Sequence, residues 1–402
     1  MKYTPANAES FLAQAEEAGW KAPALEQLRT RGLPTPKLER WKYTNLAGFA
    51  QSGAKPATKV ALNANPVALP WMLQTSRKFL FVNGHMVLGD ARLKVVPDNL
   101  ESSALDRFGD EMLWALNTAL MSDGPNINIL EDGAVFEIIH VGQGGDAPLL
   151  ASPRTAIRVA TNTSATVIEQ FLAVGDAPVH TNHATEINLK PGAKLNHIRI
   201  QMEASERTVL NTLHARVARD ASYNAHFLNL GASLSRQEYW VELEDNNSSC
   251  AIKGAQLMHG RQHMDTTVHV DHKAPHCASN QTIRNVLAGE AVGVFQGKIH
   301  VDRVAQKTDG YQLCNTLMLS ERATMNTKPE LEIYADDVKC SHGTTTGKLD
   351  ETPLFYMRAR GIPEAEARRM MLLAFIGDLY DGLPEFVGTP IAKHVEGWLN
   401  HV

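Results

Sequence analysis

From about Asn126 to Leu349 the chain is written in short runs of Val, Ile, Thr and Leu, each broken by Gly, Asp, Asn or Ser, with little apolar recurrence at helical spacing. Period-two alternation between frequent turn residues predicts many short strands. The phrases NTSATVI, KPGAKLN, ARDASYN and NNSSCAI place a small residue after a turn residue at Ala165, Ala193, Ala221 and Ser249, three successive steps of 28 residues. Two places further on stand Val167, Leu195, Tyr223 and Ala251. Stacked coils need such a ladder, because each coil turns at small residues and lays its strand on the one before. The pattern predicts a mainly β chain built on a parallel β-helix. It does not fix handedness, and a β-sandwich is the alternative because its strands also recur at short regular intervals.

The flanks read differently. Ala8 to Ala18, closing at Gly19, and a run opened by Pro23 and ending at Arg31 before Gly32, predict two short helices. Residues 47–70 are rich in Ala, Pro, Asn and Lys and read as a connector. Asn83-Gly84 within Lys78 to Gly89 predicts a hairpin, and Glu111 to Met121 a helix. After Gly347 the period shifts to 3.6. Pro363 suits a first helical turn, and Ala367, Met370, Met371, Ala374 and Phe375 form a stripe widened by Leu372, Leu373 and Ile376. A second helix is expected with Thr389 as its cap, Pro390 in its first turn, and Ile391, Val395, Trp398 and Leu399 on one face. The expected division is residues 1–125 (helices, connector and short hairpin), 126–349 (parallel β-helix) and 350–402 (C-terminal helices).

Composition narrows the function classes. With 44% hydrophobic and 21% charged residues the chain is of ordinary globular type. A net charge of -5, with no basic stretch interleaved with aromatics, argues against nucleic acid. The run Met370 to Ile376 is too short for a bilayer, which takes about 20 residues, so no membrane role is expected. The first twenty residues carry acids where a signal peptide would be apolar. Four scattered cysteines, Cys250, Cys277, Cys314 and Cys340, form no CxxC pair. A reducing, cytoplasmic setting fits them. The phosphate loop GxxxxGK[ST], the GxSxG elbow and the HExxH helix are all missing, so the chain should not hydrolyse ATP by itself.

Candidate chemistry concentrates in LEIYADDVKCSH, where strands are expected on either side of Ala335-Asp336-Asp337 and Cys340 and His342 share one strand face. Thiolate and imidazole suit Zn, Cu(I) and iron-sulfur chemistry. A closed site wants about four ligands, so the pair is either a packing accident or half of a site completed by another chain. In HVDHKAPHC, His269 and His272 differ in parity and Pro275 breaks the run, so His269, His272, His276 and Cys277 are not expected to share a metal. His180 and His183 in HTNH read as polar loop residues. Cys314 lies 26 residues before Cys340, nearly one coil, so the two could stack. Glu332, Asp336 and Asp337 could in principle do acid/base work.

Longer phrases carry a resemblance. VFQGKIHV, KTDG, KPELEIYADDVKCSHG and LFYMRARGI, between Ala291 and Ile362, together with GLPTPKLERWKYTNL from Gly32 to Leu46, resemble the SufB/SufD family of iron-sulfur cluster assembly scaffolds, with SufD-like wording. The resemblance implies a right-handed parallel β-helix core with small helical regions at both ends. It implies a non-catalytic subunit that pairs with SufB through the β-helix and binds the SufC ATPase through the C-terminal helices, where Met370, Met371 and Phe375 would lie. His342 and Cys340 would then help hold iron or a nascent iron-sulfur cluster at the SufB-facing edge, with sulfur from a separate desulfurase. Two other readings compete: a stand-alone β-helix enzyme acting on a carbohydrate or other small molecule through Glu332, Asp336 and Asp337, and a purely structural homodimer.

Overall fold

A computed structural model describes residues 9, 11–13, 22–66, 69–72, 77–89, 111–175, 178–203 and 205–400. The chain is mostly β, and its parallel strands form a solenoid of about seven turns with small helical regions toward each terminus. From Ser164 onward the chain alternates between two sheets. One carries Val179–Leu189, Thr208–Val217, Leu234–Leu243, His263–His272, Val292–Val301 and Thr324–Ile333; the other carries Ser164–Val174, Lys194–Glu203, Ser222–Gly231, Ser249–Met258, Ala278–Leu287, Asp309–Met318 and Lys339–Gly347. Each strand pairs in parallel with the strand one coil away, so side chains of equal register stack along the axis.

The true repeat is a turn. Residues with left-handed φ recur at Asn162, Gly192, Asp220, Asn247, His276 and Lys307, and all but one are not glycine. The amide of each donates to a carbonyl of the next coil, from Asn162 to Pro191 and on to Lys307 with Asp337. A small residue follows each of them: Thr163, Ala193, Ala221, Ser248, Cys277 and Thr308. The expected ladder is thus right at Ala193 and Ala221 and misplaced at its ends, because coil lengths vary between 27 and 31 residues. Ala165 pairs with Leu195, not with Ala193, and Ser249 pairs with Ser222, not with Ala221.

Between the sheets lies an apolar lumen that includes Val167, Leu195, Tyr223, Phe227, Ile252, Ile283 and Phe295. Two helical layers cover the outside. Toward the N-terminus, α1 (Ala22–Arg31) ends at Gly32, whose φ of 67° lets its amide reach the Leu28 carbonyl at 2.8 Å. The earlier helix expected over Ala8 to Ala18 falls mostly outside the described residues. A short helix α2 (Ala47–Ala50) and the edge strand Lys55–Pro56 occupy the expected connector. The hairpin forms as expected, with Asn83 and Gly84 both at positive φ between Lys78–Val82 and His85–Leu88. Helix α3 (Met112–Leu120) is buried throughout and packs with α1 over Leu150 and Leu210 of the first sheet.

The phrase KLERWKYTNL is explained by this layer. The Arg40 carbonyl accepts from Arg236 Nη2 and Gln296 Nε2, both at 3.0 Å, and the Arg236 guanidinium lies 3.8 Å from the Trp41 ring centre. Thr44 Oγ1 donates to Asp265, and Arg40 pairs with buried Glu111 at 2.5 Å. These residues clamp the N-terminal region onto the solenoid.

Toward the C-terminus, α4 (Glu351–Ala359) begins at Asp350, whose carboxylate accepts from the Thr352 amide at 2.8 Å. Next come α5 (Glu364–Gly377) and α6 (Glu385–Leu399). The expected stripe on α5 is rotated: Ala367, Leu372 and Ile376 are buried, Met371 and Phe375 are half-buried, and Met370 is 43% exposed. Helix α6 starts at Glu385 after Pro384, so Thr389 is not its cap and Pro390 lies inside it. Its apolar face is as expected, with Ile391, Val395 and Trp398 buried. Together α5 and α6 cover Ile198, Leu228, Leu257 and Val286 on the outer face of the second sheet. Arg284 fixes α5 to that sheet, pairing with Asp378 and donating to the Phe375 carbonyl.

Candidate functional site

The solenoid ends on two strands that pair on one side only, Thr324–Ile333 in the first sheet and Lys339–Gly347 in the second. Strands in earlier coils are largely buried, whereas Lys339–Gly347 is exposed at all but two positions. The turn expected at Ala335 to Asp337 joins them. Cys340 pairs in register with Gly310, and His342 with Gln312, which is fully buried. A Cβ built on Gly310 would stand 3.3 Å from Cys340 Sγ and 3.2 Å from Ile299, so the thiol leans toward the lumen.

Cys340 is half-buried beside Ile299, Ala305 and Ala335, and burial pushes its thiol pKa up from the usual range. His342 is exposed. Neither belongs to a group of three or more ligand side chains among the described residues. The chain therefore presents at this end an accessible imidazole and a partly sheltered thiol. As donors to iron they fit an incomplete site, since a cluster is held by about four protein ligands.

The other expected residues sort by face. His269 points outward, stacks on Trp240 at 4.8 Å and bonds Asp271 at 2.8 Å, while His272 points inward to Ser279 Oγ at 2.8 Å. Their opposite parity holds. His276 sits at a left-handed turn and Cys277 packs against Ser248, so the four do not converge. Cys314 pairs with Thr344, and Cys340 with Gly310, so the two thiols do not stack. Glu332 is held by Lys298 and by the Tyr334 hydroxyl at 2.6 Å, which draw its carboxyl down to about 2; Asp337 pairs with Lys307. Phe355 and Tyr356 on α4 are 67% and 62% exposed and pack edge to face, an apolar feature the helical pattern did not single out.

A second cluster lies deep in the lumen. His183 is on the strand Val179–Leu189 and fully buried, not in a loop. Beside it stands Glu169, also fully buried, flanked by His140, His197 and Arg199. His197 Nε2 donates to Glu169 Oε2 at 3.0 Å, Arg199 Nε lies 3.4 Å from the same oxygen, and Thr155 Oγ1 donates to Oε1 at 2.8 Å. Burial alone would raise the Glu169 pKa; the surrounding His183, His140, His197 and Arg199 outweigh it and hold the carboxyl well below its usual range. A parity signal existed: Glu169 falls between Val167 and Phe171 on the inward face of its strand.

Comparison with known proteins bears on both ends of this architecture. The family model described as "SUF system FeS cluster assembly, SufBD core domain" matches residues 140–375, which is most of the solenoid with α4 and nearly all of α5. The chain belongs to the SufBD family. It is 32% identical over 374 residues to the iron-sulfur cluster assembly protein SufD of Escherichia coli, covering 89% of this chain and 87% of that one. An iron-sulfur cluster assembly SufBD family protein of Synechocystis is 29% identical over 394 residues, covering 90% and 86%. One from Pyrococcus horikoshii is 26% identical over 312 residues, covering 75% and 68%. In this SufBD chain the phrase KPELEIYADDVKCSHG is the end coil, and GLPTPKLERWKYTNL is the N-terminal clamp.

Proposed function

We propose that this chain is a SufD-like scaffold subunit for iron-sulfur cluster assembly that pairs end to end with a SufB partner and binds the SufC ATPase through its C-terminal helices. The observation that carries the pairing is the uncovered last coil. Two parallel edge strands with free backbone donors and acceptors make a template for another strand pair. His342 stands at that edge, and Cys340 beside it. The reading gives His342 the role of an iron ligand shared across the junction and Cys340 a lesser one. Iron or the nascent cluster is then cargo, held transiently while the partner supplies the missing ligands.

Binding of SufC is assigned to the helices because α4 and α5 leave Phe355, Tyr356 and Met370 exposed while α5 and α6 are otherwise spent on the second sheet. Met371 and Phe375 would contribute from the border of that surface. The absence of a phosphate loop supports a non-catalytic role, with ATP handled by the partner. Four free thiols agree with a reducing cytoplasm. Among the described residues no helix is long and apolar enough to cross a membrane.

A stand-alone enzyme using Glu332, Asp336 and Asp337 is less well supported, since Glu332 and Asp337 are tied to lysines. Co-expression of the chain with a SufB protein and SufC, followed by affinity capture and subunit counting, tests the proposal. A complex holding all three is expected. A chain that stays alone, or pairs only with itself, overturns it.

A further inference from the structure

We propose that His140, Glu169 and His183 form a divalent metal site inside the lumen, separate from the end coil and selective for first-row ions that accept two imidazoles and one carboxylate, such as iron(II) or zinc. One ligand atom from each of the three lies within 4.8 Å of those of the other two. Two imidazoles and a carboxylate with open positions are a recognised ligand set for iron(II). Metal–ligand bonds of about 2.1 Å span ligand separations up to about 4.2 Å. His140 Nε2 and His183 Nε2 stand 3.7 and 3.8 Å from Glu169 Oε1, within that span.

The second observation is His140 itself. Its side chain is 7% exposed and neither ring nitrogen has a hydrogen-bond partner. A buried ring whose carboxylate neighbour stands at 3.7 Å, too far for a hydrogen bond, is costly. Register explains how the ring is held: His140 pairs with Phe81 on one side and Phe171 on the other, and stacks between them at 5.3 and 4.9 Å. The phenyl rings fix its plane and leave its nitrogens free for an ion. Of the three, only His140 is not wholly buried.

The carboxylate is already divided between two jobs. Oε2 is held by His197 and Arg199, and Oε1 faces the two candidate imidazoles. Such outer partners orient a ligand and tune its affinity. Arg199 Nη2 donates to His183 Nδ1 at 3.1 Å, so His183 Nε2 carries the proton and donates it to Thr155 at 3.0 Å. Metal binding moves that proton to Nδ1, where Thr185 Oγ1 at 3.4 Å can accept it, while Arg199 keeps its bond to Asn211 at 3.0 Å. The change is a loss at Nε2 matched by an uptake at Nδ1, so no net proton is released. The nearby guanidinium repels a cation, so the site is one of exchange and not of permanent retention.

The test is anaerobic titration of the purified, metal-stripped full chain with cobalt(II) or iron(II), read by optical absorption and by metal analysis after desalting. His140→Phe completes the aromatic stack, so it should fold with unchanged circular dichroism. It should lose one equivalent of metal or at least about tenfold in affinity. The double variant His342→Ala with Cys340→Ala should keep that equivalent, and Arg199→Gln should bind more tightly. Equal binding by the wild type and a folded His140→Phe overturns the proposal, as does a site lost with the end-coil variant.

Discussion

Single side chains in the lumen carry little tolerance, because parallel in-register stacking sets each one directly on the next. Gly254 shows this most sharply. A Cβ there would lie 2.4 Å from the ring of Phe227, one coil below, and Phe227 is itself fully buried. Gly254→Ala should therefore cost on the order of 1 to 3 kcal/mol, as overpacked cores do, and lower the melting temperature; an unchanged melting curve would mean that the stack can shift. At the same scale, part of the site was legible and part was not. Cys340 and His342 could be placed on one strand face from parity alone. Glu169 and His183 could not be joined from sequence, because they lie 14 positions apart on consecutive strands of opposite sheets, which face each other only across the lumen.

At the level of elements, the strands and their parallel order were readable because turn residues punctuate them, but the rung was not. Coils of 27 to 31 residues slip against any fixed period, and what stays constant is a left-handed residue followed by a small one. The hairpin, α1 and α3 were marked by turn and helix signals, while the start of α6 was misread because Thr389-Pro390 imitates a helix start. On α5 the apolar positions exceed one face, so the stripe alone could not say which side meets the sheet. The structure separates the two sides. Leu372→Asp, facing the second sheet, should lower the melting temperature, whereas Phe355→Ser with Tyr356→Ser should leave it unchanged and weaken capture of SufC. Undiminished capture by the Phe355 and Tyr356 variant would assign that surface to another use.

Across the whole molecule, buried histidines make stability depend on pH. His180, His226 and His272 are lowered to about 4 by burial, and His183, His197 and His214 are lowered too. The unfolded chain takes up protons at these positions below about 6.5, while in the folded one His180, His226 and His272 resist until about 4, so the stabilisation is lost as pH falls from about 6.5. Glu203, raised to about 7, and Glu111, raised to about 8, both chiefly by burial, act in the opposite sense: the fold favours their protonated forms, and that contribution is lost as pH rises. Because the histidines are more numerous, the melting temperature should fall from about pH 7 to about pH 5, with Glu203 and Glu111 offsetting part of that loss and lowering it slightly up to about pH 8. A melting temperature that rises on acidification would contradict this account of the histidines.

The whole-chain reading as a SufBD family member rests on the match over residues 140–375 and on the shared length with its relatives, and the claim at its centre is that the uncovered end coil handles iron. The most direct measurement is the iron and acid-labile sulfide content of the complex formed with SufB and SufC, comparing His342→Ala with the wild type at equal subunit stoichiometry. The account predicts an intact complex with markedly less iron and sulfide, and an equal or smaller loss for Cys340→Ala. Full iron and sulfide in the His342→Ala complex would contradict it.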